Sequence, residues 1–102
     1  MKLKDILNEV RISRGITIEI FENNIMVNEA KLNEVTLAYI EGSDRLYRAY
    51  LSTENGQINL SGGNSGLNEF LNAIQYDSSK GKLGDYLEQY GVKLDYTEFD
   101  VS

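Results

Sequence analysis

The sequence predicts an α+β domain: an N-terminal helix, an antiparallel sheet of four to five strands, two helices and a final strand, with the helices on one face of the sheet. Three observations lead there. Apolar residues recur at i, i+3, i+4 and i+7 in three separate segments. Between the first and second of these the apolar period changes to two, and the breaks between the extended runs carry turn residues.

The first helical stripe is Leu3, Ile6, Leu7 and Val10, with Gly15 shortly beyond it as a stop signal. Next comes "ITIEIF", where Ile16, Ile18 and Ile20 share one face and Thr17, Glu19 and Phe21 the other, the mark of a half-buried strand. Glu22 to Asn24 reads as a turn, because asparagine tolerates positive φ, and Ile25 to Val27 as the return. "EVTLAYIEG" is a further extended run that ends in a turn through Gly42, Ser43 and Asp44. In "RLYRAYLSTENGQINL" the Asn55-Gly56 pair signals a two-residue hairpin that pairs Thr53 with Ile58 and Leu51 with Leu60. Tyr47, Ala49, Leu51, Ile58 and Leu60 then share one face, and Arg48, Tyr50, Ser52, Gln57 and Asn59 the solvated one.

Leu67, Phe70, Leu71 and Ile74 mark the second helix, with Asn64 or Ser65 as its cap. Leu83, Tyr86, Leu87 and Tyr90 mark the third, closed by Gly91. Val92, Leu94 and Tyr96 alternate with Lys93 and Asp95 as a last strand. Phe99 and Val101 then appear with the opposite parity, so either a bulge near Thr97 and Glu98 or a strand giving way to a tail is expected. One domain over residues 1–102 accommodates all of this, without internal repeats or low-complexity tracts.

Composition narrows the chemistry. The 102 residues include no Cys, His, Pro or Trp, which removes thiolate nucleophiles, disulfides, thiolate zinc sites and any imidazole base. No cofactor and no metal is expected. No apolar run is long enough to cross a bilayer as a helix, so a soluble, cytoplasmic protein that avoids membranes is the expectation. The net charge of −6 is unevenly spread: residues 1–14 carry four basic and two acidic side chains, Gly15 to Asp44 six acids against Lys31, and Glu54 onward eight acids against three lysines. Direct nucleic-acid binding needs the opposite sign, whereas a basic partner fits.

Individual motifs are weak for catalysis. "SGGNSG" at Ser61 to Gly66 precedes a helix, but Leu67-Asn68 stand where a phosphate loop requires Lys and Ser/Thr, so it reads as a strand-to-helix connection. The sixteen acids offer carboxylate pairs without an apolar context to raise a pKa or the spacing of a calcium loop. Seven tyrosines, several beside acids as in "GDYLEQYG" and "LDYTEFD", instead have the make-up of an interface. The candidate partner-binding residues are Asp95, Tyr96, Glu98 and Asp100, helped by Asp85, Glu88 and Tyr90.

No motif matches a named family. In size, acidity and lack of catalytic residue types the chain is similar to the small inhibitors of phages and other mobile elements, anti-CRISPR and anti-restriction proteins among them, and to toxin immunity proteins. That resemblance implies a non-enzymatic inhibitor that occludes the basic surface of a nucleic-acid-handling partner. A module that self-associates through a sheet edge, as a homodimer for instance, is the alternative.

Overall fold

The structure, a computed structural model, describes residues 8–12, 15–60 and 63–99. It is mainly sheet. Seven strands, β1 (Asn8–Ile12), β2 (Ile16–Ile20), β3 (Ile25–Val27), β4 (Ala30–Ile40), β5 (Leu46–Thr53), β6 (Gly56–Leu60) and β7 (Lys93–Phe99), form one sheet in the order β1-β2-β3-β4-β5-β6, with β7 joined to β4. Among the described residues two α-helices, α1 (Asn64–Ala73) and α2 (Leu83–Glu88), follow β6, with a 3-10 turn at Ser78–Lys80 between them. This replaces the predicted α+β arrangement of an N-terminal helix and four to five strands. All pairings are antiparallel except β4–β7, which is parallel because the helical segment carries the chain from the end of β6 back to the start of β7.

The predicted N-terminal helix is overturned where it can be tested. Leu3, Ile6 and Leu7 lie outside the described residues, but Val10, the last of that stripe, sits in β1 opposite Ile18, while Ile12 opposes Ile16. Val10 and Ile12 are β-branched and alternate with Glu9 and Arg11, so they suit a pleated strand better than a helix. Gly15, at φ +73°, serves the β1–β2 connection.

The core is built from alternation. β2 buries Ile16, Ile18 and Ile20, β3 buries Ile25 and Val27, and β4 begins with Ala30 and Leu32 inward. Asn28 and Glu29 both adopt positive φ in the tight β3–β4 turn, and the Asn28 side chain accepts the Thr17 N–H at 2.9 Å. Asn33 is an extra residue: Leu32 opposes Thr53 and Glu34 already opposes Ser52. This bulge reverses the parity of β4, so that Val35 and Leu37 turn inward thereafter.

A second register shift sets Tyr39 against Leu46 and Ala38 against Arg48, leaving Tyr47 as the extra residue of β5. Leu46, not Tyr47, therefore fills the core beside Ala49, Leu51 and Leu60. The β5–β6 hairpin also differs from the predicted register. Thr53 pairs with Gly56 and Leu51 with Ile58, making Glu54 and Asn55 the turn residues. Thr53 decides this, because its hydroxyl accepts the Asn55 N–H at 3.1 Å and donates to the Gly56 carbonyl at 2.9 Å.

α1 buries Leu67, Phe70 and Ala73, with Ile74 at its C-cap, and packs over β1 and β5. Its N-cap is Gly63 rather than Asn64 or Ser65. α2 buries Leu87 and packs on β7, where a Cβ on Gly84 would lie 3.7 Å from the Leu94 side chain. Gly91, at φ +73°, lets the Gly91 and Val92 N–H groups return to the Glu88 and Leu87 carbonyls. Tyr76, Tyr86 and Tyr90 form a ring cluster between the helical segments, with centroids 5.2 and 5.8 Å apart along the series.

β7 runs in unbroken register with β4 from Glu34–Lys93 to Ile40–Phe99. The expected bulge at Thr97 and Glu98 is absent. The parity change seen in the sequence marks instead the point where apolar cover ends, since Leu94 is partly buried and Tyr96 is 60% exposed. Among the described residues no helix is long and apolar enough to cross a membrane, and nothing in the architecture supports the cytoplasmic assignment made from composition.

Candidate functional site

β4 positions the site, because its edge away from β5 pairs first with β3 and then, from Glu34 onward, with β7. β7 thereby lies at the margin of the described sheet, with β4 on one side and, among the described residues, no strand on the other. Strand alternation places Leu94, Tyr96 and Glu98 on the face that carries α2, and Lys93, Asp95 and Thr97 on the opposite face.

Beyond the reach of α2 the Tyr96 ring stacks on Tyr39 of β4, with centroids 6.2 Å apart and planes inclined at 25°. The two rings line an open cleft of about 710 Å³ together with Ser43 and Asp44 of the β4–β5 turn and Thr97 and Glu98 of β7. The turn is fixed by the Ile40 N–H to Arg45 carbonyl bond at 2.9 Å and by Ser43 Oγ accepting the Arg45 N–H at 3.0 Å, which hold Asp44 at the rim. Burial, then the neighbouring Tyr96 and the Asp44 carboxylate, push the Tyr39 hydroxyl above the ordinary phenol value. The described lining thus offers two aromatic faces, two carboxylates and four hydroxyls, with no cation among them. That set suits an alkylammonium or guanidinium group, which aromatic faces and carboxylates both attract.

At the other end of β7, Asp85 and Glu88 of α2 border a groove of about 500 Å³ beside Lys93 and Leu94. Two of the sequence-predicted residues, Tyr96 and Glu98, thus line the cleft and two, Asp85 and Glu88, the groove. Asp95 lies between them on the opposite face of β7, and its Oδ1 accepts the Tyr96 N–H at 2.9 Å. Tyr90 is partly buried against Tyr86 rather than beside Tyr96. Asp100 lies outside the described residues.

Sequence reasoning missed Tyr39, Ser43 and Asp44. Their local signal was a tyrosine followed by an acid-bearing turn, but only the parallel β4–β7 pairing brings them to Tyr96 and Glu98. Among the described residues no cluster of three or more carboxylates has the spacing to hold a metal ion. No family model, curated protein or solved structure matches the chain.

Proposed function

We propose that the protein is a non-catalytic binding module whose acidic, tyrosine-bearing β7 region occludes a basic surface on a larger, nucleic-acid-handling partner. One observation carries this reading: Tyr96, the one exposed large hydrophobic residue among those described, sits on an open strand edge, stacked on Tyr39 and bordered by Asp44 and Glu98. An exposed aromatic ringed by like charges matches the centre and rim of an interface, with tyrosine supplying contact area and the acids steering a basic partner. An inhibitor of the kind that mobile elements encode is the biological form of this function.

Self-association through the same edge is disfavoured by charge. Two copies of β7 paired antiparallel about Tyr96 would line one seam with Asp95 and Glu98 of both strands against only the two Lys93 side chains.

The test is affinity capture from nuclease-treated lysate of the source cells at low and moderate salt, with the native protein and an Asp44→Lys/Glu98→Lys variant side by side. The expected result is a basic nucleic-acid-handling protein held by the native chain, released as salt rises and lost with the variant, while the thermal midpoints of the two proteins agree. Identical captures by both proteins, or recovery of this chain alone, would refute the reading.

A further inference from the structure

We propose that the partner is engaged as an added strand: an extended, basic segment pairs with the free edge of β7 and inserts a cationic side chain into the cleft bordered by Tyr39, Tyr96, Asp44 and Glu98. This rests on the binding function proposed above and specifies how the partner is held. Three features of the edge support it.

The first is its geometry. Open edges are commonly blunted by shortness, proline, bulges, lysine or a covering loop. β7 has seven residues in unbroken register with its neighbour and no proline, and its one lysine stands at the first position. The other margins of the described sheet, β1 and β6, have five residues each. β7 is therefore the longest template for pairing among these margins.

The second is charge in the depressions beside both ends of β7 and on the strand between them. The groove at the start of β7 carries Asp85 and Glu88, the middle of the strand Asp95, and the cleft at its end Asp44 and Glu98. Lys93 is the only cation within this row among the described residues. From Lys93 to Glu98 a strand advances roughly 17 Å at about 3.3 Å per residue, so a segment of six or more residues spans both depressions. Cationic side chains at alternate positions of that segment fall on one face, opposite Tyr96 and Glu98, and the residues between them face Asp95 and Thr97.

The third is the bond between Asp95 Oδ1 and the Tyr96 N–H. That amide, at an exposed position, has a side-chain acceptor from its own strand. An incoming carbonyl replaces the carboxylate at the Tyr96 N–H, and the displaced Asp95 carboxylate turns to solvent on the opposite face of β7. The exchange keeps the amide bonded in both states, so edge opening leaves no orphaned donor.

The experiment uses the full chain and a labelled peptide of ten alternating arginine and valine residues, compared with a second peptide of the same sequence N-methylated through its central residues. Methylation preserves charge and abolishes strand donors. Anisotropy at low salt should show binding of the first peptide and at least a tenfold loss for the second. Hydrogen exchange at saturation should slow at the Tyr96 amide and at its alternate neighbours Leu94 and Glu98. Equal affinity for the two peptides, or unchanged exchange at Tyr96, would overturn strand pairing. If in that case binding is still abolished by the Asp44→Lys/Glu98→Lys variant, occlusion by charge survives without it. No binding of either peptide, together with failure of the capture experiment, would remove both proposals.

Discussion

Replacing Tyr86 by phenylalanine removes one oxygen and keeps the ring, so it isolates what the hydroxyl does. That hydroxyl donates to the Ile74 carbonyl at 2.6 Å, tying α2 to the end of α1. A hydrogen bond of this kind contributes about 1 kcal/mol net, and leaving a carbonyl unmatched at a fully buried residue raises the loss to about 2 kcal/mol. For a domain of this length that corresponds to a fall in Tm of roughly 10 °C.

Alkaline pH supplies an independent signature. Burial first, then a hydrogen bond with Tyr90 and the charges of Tyr90 and Asp77, push the Tyr86 pKa up to about 12 from an ordinary 10.0. The unfolded chain ionises this phenol first, so its contribution is complete below pH 10 and is lost as the pH rises from 10 through 12. The limiting slope is about 1.4 kcal/mol per pH unit, reduced here because the ring is only partly covered. Urea unfolding of both proteins at pH 7 and pH 11 tests the two effects together. The native protein should lead by about 2 kcal/mol at pH 7, with the gap narrowing at pH 11 because phenylalanine has no proton to lose. Equal midpoints at pH 7, or a gap that does not change with pH, would refute the reasoning.

Three further perturbations have expected outcomes. Phe70→Ala empties a fully buried site under α1 and should lower stability by about 3–5 kcal/mol, read from the urea midpoint, with partial unfolding at 37 °C. Glu19→Gln should raise stability at pH 7 by about 0.5 kcal/mol, because Glu19 lies directly opposite Glu9. Burial, then Glu9 and Glu29, raise the Glu19 pKa above 4.5, so the folded state favours the protonated form, and the gain should shrink as the pH falls through that raised value and vanish below 4.5, which melts at graded pH will show. Gln75→Gly should stabilise by roughly 0.5 kcal/mol, since Gln75 closes α1 at φ +62°, where a side chain is disfavoured, and calorimetry should find a higher Tm.

Legibility in the sequence followed the range of the interaction that decides each element. The alternation of Ile16, Ile18 and Ile20 and the stripe of Leu67, Phe70 and Ile74 are local patterns, and both appear as a strand and a helix with those residues buried. Val10 was misread because four apolar residues at helical spacing also admit a strand over the last of them, and pairing with Ile18 decides between the two. The bulges at Asn33 and Tyr47 leave no turn residue or break as a signal, and the hairpin register depended on one hydroxyl, that of Thr53. For the candidate site, the acids and Tyr96 of β7 could be nominated from composition. Tyr39 and Asp44 could not, because their place beside Tyr96 depends on a parallel pairing between segments far apart in the chain.

Among the described residues β7 is secured to the sheet on one side only, through a strand distant in sequence, and its cover by α2 ends near Leu94. Releasing it breaks a single ladder and leaves the six antiparallel strands paired among themselves, so its detachment is a smaller event than unfolding. A strand laid along its outer edge would give β7 a second neighbour and oppose that detachment. Docking and the local order of this strand then become one equilibrium, in which the partner completes the margin of the fold it binds.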